Sequence, residues 1–202
     1  MASIVYSYGE NLYLNLTTAC PCACDFCIRQ NGAGLGSAAS LWLEHAPGFA
    51  EVQEALTGWN LRDFAQIVFC GFGEPTCALE VLLEVCAHLR RQPDAPPIRL
   101  NTNGLADLIH SKPTAPLLAG LVDSVSISLN APTAEEYDAL CHPSFGLEAF
   151  PAIVRYARAV RQYVPHVCFT VVDVLGEDKI ALCREIAEQV GVPLRVRVAE
   201  MR

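Results

Sequence analysis

The run Asn11-Leu-Tyr-Leu-Asn-Leu-Thr17 passes through Thr18 and Ala19 into Cys20-Pro-Cys-Ala-Cys-Asp-Phe-Cys27. Residues 11 to 17 alternate polar and apolar side chains, which predicts a strand. Four thiols then fall within eight residues. Thiolates at that density can hold zinc or an iron–sulfur cluster. A zinc site needs four tetrahedral ligands, usually from two separated knuckles, and Cys22 would have to be the fourth. A ferredoxin-like carrier wants a more distant fourth thiolate. Cys20, Cys24 and Cys27 leave gaps of three and then two residues. Three thiolates on a four-iron cluster, with one iron open, fit this spacing best.

Outward from that stretch, short apolar runs alternate with amphipathic ones. Residues 28 to 47 are rich in Gly, Ala and Ser and read as a long loop of functional or mobile character. Phe49, Val52, Ala55, Leu56 and Trp59 mark a helix; Gln66 to Gly71 is a second strand. A helix over Leu79 to Leu89 stops before Pro93, and Ile98 to Thr102 is a third strand. A short helix is expected within 104 to 119, then a fourth strand over Val122 to Asn130. Thr133 and Glu136 form a capping-box pattern that starts the next helix. A helical stripe from Leu147 to Val160, a strand over Val167 to Val174, a helix from Ile180 to Val190 and a strand over Leu194 to Val198 complete the order. A strand followed by a helix, repeated with the last helix missing, implies a parallel sheet with helices outside. Six strands are too few for a closed eight-stranded barrel. The fold class is therefore α/β, either a doubly wound sheet or an open partial (β/α)6 barrel, with chemistry at the C-terminal strand ends.

Composition sets the bounds. The 202 residues are 52% hydrophobic and 18% charged, which suits a single globular domain over residues 1–202 without an accessory domain. No apolar run is long enough to cross a bilayer, and the N-terminus lacks a secretory pattern, so a cytoplasmic protein is expected. Ten cysteines in that setting read as thiols or metal ligands before disulfides. The net charge of −8 argues against a chain that coats nucleic acid with its whole surface, though not against a local basic groove.

The strand ends collect the polar clusters. Gly71-Phe-Gly-Glu-Pro75 follows the second strand, Asn101-Thr-Asn-Gly104 the third, and Ser128 and Asn130 end the fourth on one face. Asp173 ends the fifth; Arg195 and Arg197 share a face of the sixth. Each alone has an ordinary reading as a turn, a cap or an exposed edge. Their joint position beside the thiols points to one site.

The motif Cys20-x-x-x-Cys24-x-Phe26-Cys27 resembles that of the radical S-adenosylmethionine (radical SAM) superfamily, and Gly73-Glu74-Pro75 resembles its Gly-Gly-Glu-Pro element, with Phe72 in place of the first glycine. Gly71-x-Gly-Glu-Pro75 and Ser128-Leu-Asn-Ala-Pro132 are similar to segments of the radical SAM ribosomal RNA adenine methylases. Leu14-Asn-Leu-Thr17, Cys27 to Gly32 and Ser40-Leu-Trp-Leu-Glu44 resemble the small TatD-nuclease-associated radical SAM proteins. The resemblance implies the minimal partial-barrel core, a [4Fe-4S] cluster on Cys20, Cys24 and Cys27, SAM as cofactor, oxygen sensitivity and an external electron donor of flavodoxin or ferredoxin type. It implies SAM contacts at Phe26, Gly73, Glu74, Asn103, Ser128, Asn130, Arg195 and Arg197, with the arginines facing an anion of SAM or of substrate. Cys141 and Cys70 lie near the same edge, and Cys141 is the one catalytic candidate, although an inert buried thiol is the commoner state. Cys22 departs from the pattern and reads as a spare thiol. An open-sided core suits a protein or RNA substrate; a small molecule under the 28–47 loop is the alternative.

Overall fold

Two alternating runs, Val5-Tyr-Ser-Tyr8 and Asn11-Leu-Tyr-Leu14, flank Gly9-Glu10. They form an antiparallel hairpin, β1 (Val5–Tyr8) and β2 (Asn11–Leu14), with Tyr8 opposite Asn11. The two-residue turn needs a positive φ, and Gly9 supplies it at +56°. β1 is absent from the sequence reading because its four residues are too short to register as a strand on their own. The Gly9 punctuation between two alternating runs is the available signal.

The computed structural model describes residues 2–30 and 32–198. After the hairpin come α1 (Phe49–Leu56), β3 (Gln66–Phe69), α2 (Leu79–Arg90), β4 (Ile98–Thr102), α3 (Ala106–His110), β5 (Ser124–Ser128), α4 (Ala134–Cys141), α5 (Ala149–Val160), β6 (His166–Val172), α6 (Glu177–Val190) and β7 (Leu194–Arg197). The seven strands form one sheet in chain order, and β2 to β7 are all parallel. No pairing joins β7 to β1 among the described residues, so the barrel is open. The expected α/β partial barrel is the observed fold, with β1 added at its first edge.

Alternation along the strands divides the sheet into two faces. Leu12, Leu14, Ile67, Phe69, Ile98, Leu100, Val125, Ile127, Phe169 and Val171 point to the helices and are buried in the main core. Each such Leu or Ile withdrawn from water contributes about 1.5–3 kcal/mol. The opposite, inner face carries Tyr13, Val68, Arg99, Asn101, Ser124, Ser126, Ser128, His166, Cys168, Thr170, Arg195 and Arg197, as the strand register places them. That face is mostly polar.

The Gly-rich loop covers the hairpin end of the inner face. Leu41 and Ala38 pack with Tyr6 and Phe72 in a second, separate apolar cluster. Hydrogen bonds fasten it: Ser37 N to Ser7 O at 2.9 Å, Ser7 N to Ser37 Oγ at 2.8 Å, and Asn15 Nδ2 to Leu41 O at 2.9 Å. Gly34 is required there, because a Cβ would meet Ala38 O at 2.2 Å. Residues 28 to 47 are a loop as expected, but one folded onto β1.

Several boundaries differ from the sequence reading, three of them at the C-terminal ends of strands beside the site. The first strand pairs only to Leu14, and Asn15 to Thr17 continue as buried chain. The fourth ends at Ser128, because Asn130 adopts φ +57° and breaks the alternation. The fifth ends at Val172, and Asp173 opens a 3-10 turn. The capping box at α4 is half made: Thr133 Oγ1 accepts from Glu136 N at 3.2 Å, while the Glu136 carboxylate pairs with Lys179 at 2.9 Å.

Leu41 is fully buried in the loop cluster. Leu41→Ala is expected to cost about 2–4 kcal/mol in urea unfolding. It should also expose residues 33–42 to limited proteolysis while the sheet stays folded.

Candidate active site

The cysteine loop leaves the C-terminal end of β2 and is clamped from two sides. On one side lies the end of α4. The last carbonyls of a helix have no partner within it. Here Leu140 O and Cys141 O accept from Asp25 N at 3.1 Å and Ala23 N at 3.0 Å, and Ser144 N donates to Pro21 O at 2.8 Å. His142 comes next, in the left-handed region, and pairs with Asp25 at 2.9 Å.

On the other side lies the turn after β3. Glu74 N donates to Ala19 O at 2.8 Å. Gly73 lets the two chains touch, since a Cβ there would meet Thr17 O at 2.3 Å and Ala19 O at 2.7 Å. Substitution at Gly73 would therefore push the thiol loop away from the sheet.

The Glu74 carboxylate is buried and fully engaged by the protein. Oε1 accepts from Thr76 N at 3.0 Å, Thr76 Oγ1 at 2.8 Å and Thr102 Oγ1 at 2.7 Å, and Oε2 accepts from Asn103 N at 2.7 Å. Burial raises its pKa from the ordinary 4.5, against donors that favour the charged form. In this arrangement Glu74 ties the β3 turn to the β4 turn. The carboxylate itself is turned to these donors.

The thiols lie between these clamps. Asn103 Nδ2 approaches Cys20 Sγ at 4.0 Å and Cys22 Sγ at 3.9 Å. Cys22 Sγ lies 3.8 Å from the Tyr137 hydroxyl. Cys24 is flanked by Cys141 and Cys22, and Cys141 Sγ receives Asn130 Nδ2 at 3.7 Å. Cys22 is therefore inside the sulfur group, half-buried between Cys20 and Cys24. A hydrogen bond to Cys22 raises the Cys20 pKa most, with burial second, while burial leads for Cys27. Cys22 itself is pushed up to about 12 by Cys24 and by burial, against a lowering bond to Cys20. Among the described residues, no three His, Cys, Asp or Glu side chains converge as a ready metal site. The donor chemistry nevertheless fits a cluster: crowded, half-buried soft ligands stay protonated until a cation joins them.

The remaining predicted residues separate. Phe26 is half-buried against the main core. Ser128 is half-buried at the end of β5. Asn130 is buried, and its Oδ1 has no protein partner. Arg195 bends toward Ser126 Oγ at 3.3 Å, and Arg197 is exposed on the same face. Cys70 sits at the end of β3, where its carbonyl accepts from the Tyr6 hydroxyl at 3.2 Å. Cys141 is wholly buried.

Three residues escape the sequence reading. Asn15 is buried and holds Ser3 O and Leu41 O, and its signal is an amide within an apolar run. Tyr137 faces the thiols, which only the α4 packing reveals. Arg99 stands on the inner face, and its signal is a charge within Ile98-Arg-Leu-Asn-Thr102.

No family model and no curated protein matches the sequence. Solved structures do. SuiB of Streptococcus suis, bound to its precursor peptide SuiA, aligns with TM-score 0.68 at 16% identity over 97% of this chain and 40% of SuiB. SuiB bound to S-adenosylmethionine aligns with TM-score 0.69 at 15% identity, over 97% of this chain and 42% of SuiB. A radical SAM methyltransferase from Sphaerobacter thermophilus aligns with TM-score 0.60 at 17% identity over 98% of this chain and 69% of the enzyme. The chain thus spans about two fifths of SuiB, and the likeness is one of fold: an open α/β partial barrel.

Glu74→Gln sets an amide N–H2 against donors already aimed at the site. It is expected to cost about 1–3 kcal/mol in urea unfolding. Glu74→Asp, which withdraws both oxygens from Asn103 and Thr102, should be no milder.

Proposed function

We propose that this chain is a radical SAM enzyme in which Cys20, Cys24 and Cys27 hold a [4Fe-4S] cluster with one open iron. The observation that carries this reading is the thiol loop itself. It leaves the first parallel strand of a fold shared with radical SAM structures and is clamped by Gly73-Glu74 and by the end of α4. When bound, the cluster and SAM supply reductive cleavage to methionine and a 5′-deoxyadenosyl radical that takes hydrogen from the substrate.

The chain's own residues position this chemistry. Asn103 Nδ2 donates toward sulfur, and such bonds stabilise negative charge on a ligand set. Glu74 fixes the backbone of Asn103 and so the aim of that amide. The unpartnered Asn130 Oδ1 is an acceptor for a SAM donor group, and Ser128 ends β5 two residues before it. Gly73 would keep the β3 turn close enough for its backbone to border SAM, Phe26 would wall the cysteine loop, and Arg197 would pair with the carboxylate of bound SAM. Cys141 packs against Cys24 and serves as a shape-filling thiol. A flavodoxin- or ferredoxin-type protein donates the electron. No helix among the described residues is long and apolar enough to cross a membrane. The peptide bound to SuiB favours a polypeptide as a second substrate reading.

Anaerobic reconstitution with iron and sulfide, then SAM and dithionite, tests the reading. Four irons per chain and release of methionine with 5′-deoxyadenosine are expected. Cys20→Ala, Cys24→Ala and Cys27→Ala should each lose the cluster absorbance, and Cys22→Ala should retain it. A four-iron protein that never cleaves SAM, or loss of the cluster with Cys22→Ala alone, would defeat the assignment.

A further inference from the structure

The protein carries a net charge of −8, yet the strand residues of its inner face include no carboxylate. That face bears three guanidinium groups, Arg99, Arg195 and Arg197. Among the described residues no Asp or Glu lies within ion-pair distance of any of them. An acidic protein that spends three arginines on one unpaired concave face has concentrated positive potential there.

A cavity of about 490 Å³ opens on this face at the N-terminal ends of β5 to β7, where Pro165 and Pro193 form part of its wall. Gln66, Arg99, Ser124, Ser126, His166 and Arg195 line it. The register sets Arg99 beside Ser124, and Ser124 beside His166. Arg195 reaches the same group through Ser126 Oγ at 3.3 Å, a hydroxyl that also receives Cys168 Sγ at 3.5 Å. Arg99 lies beside the Tyr13 hydroxyl and keeps Nε buried without a partner. A buried guanidinium N–H left unpaired is costly, so an acceptor is owed at that spot. Two guanidinium forks with hydroxyls between them make a site for an oxyanion, because the planar fork matches carboxylate and phosphate oxygens.

We propose that the inner face binds the anionic end of a small organic substrate, a phosphate or a carboxylate, between Arg99 and Arg195. The proposal rests on the radical SAM reading for the chemistry done on the bound molecule, and it names the substrate class of that same site. From Arg99 to Asn103 along β4 is four residues, about 13 Å of strand. A substrate that reaches the thiol loop from Arg99 would have to span that length. The cavity has the size of a small-molecule site, which favours a small anion over a polypeptide.

Calorimetric titration of the full chain with inorganic phosphate and, separately, with malonate tests this. One saturable oxyanion site is expected. Arg99→Gln and Arg195→Gln should each weaken it at least tenfold, and Ser124→Asp should abolish it. Arg99→Lys should weaken it less than Arg99→Gln, and Arg158→Gln on the outer surface should leave it unchanged. Tighter phosphate assigns an organic phosphate, and tighter malonate a carboxylate. Either supports the site. Absence of saturable binding by both probes, or equal binding by folded Arg99→Gln and Arg195→Gln, overturns it. Unchanged circular dichroism shows that the variants are folded. The titration uses no iron, reductant or SAM, so its failure is distinct from a failure of cluster assembly.

Discussion

Glu74 is the joint on which the C-terminal edge of the sheet depends. A buried carboxylate is tolerated only when its oxygens are matched by donors. Four donors meet it, from the β3 turn and from the end of β4. Its own backbone N–H reaches Ala19, so the carboxylate, the Asn103 amide and the thiol loop form one connected unit. A Gly-Glu-Pro turn here supplies three separate needs. Gly73 permits contact with Thr17 and Ala19, Glu74 gathers the donors, and Pro75 opens the 3-10 turn leading to α2.

Much of this is legible in the sequence, and the parts that are not share a cause. The β/α alternation yields six parallel strands because parallel strands read as short apolar runs, and helices as 3.6-residue stripes. Gly73 and Glu74 read as site residues, but with Glu74 turned outward to a ligand. The sequence holds no sign that Thr76, Thr102 and Asn103 N converge on it, since those donors lie up to 29 residues away. Spacing puts Ser128 and Asn130 on one strand face, and the positive φ of Asn130 sends its amide to Cys141 instead. Asn is one of the few residues that tolerates that conformation, so its identity carries a hint the spacing conceals. Cys22 reads as a spare thiol, and the sequence holds no sign that Tyr137 of α4 and Asn103 after β4 both approach it. Long-range packing, in each case, overrides local pattern.

The two faces of the sheet divide the labour between stability and chemistry. Helices bury the outer face in one continuous core. The Gly-rich loop closes only the hairpin end of the inner face, through Leu41, Ala38 and Phe72. It also seats Arg29 over Trp42, 4.7 Å from the ring centroid, so a cation at the loop's start is held against the loop's end. Toward the N-terminal strand ends the inner face opens into a cavity lined by Arg99, Ser124, Ser126, His166 and Arg195 together with Val164, Val192 and Pro193.

That space is ordered along the strands. Arg99, Ser124 and His166 share one level toward the N-terminal ends, while Arg195 and Arg197 register with Thr170 and Val172 near the C-terminal ends, from which Arg195 bends back to Ser126 Oγ. Sulfur and amide groups lie toward the C-terminal ends, around Asn103 and the cysteine loop. A ligand bound through an oxyanion keeps its negative charge away from the thiolates, which would otherwise repel it at short range. In the proposed reading an anion held at Arg99 is kept clear of the cysteine sulfurs by the distance along β4.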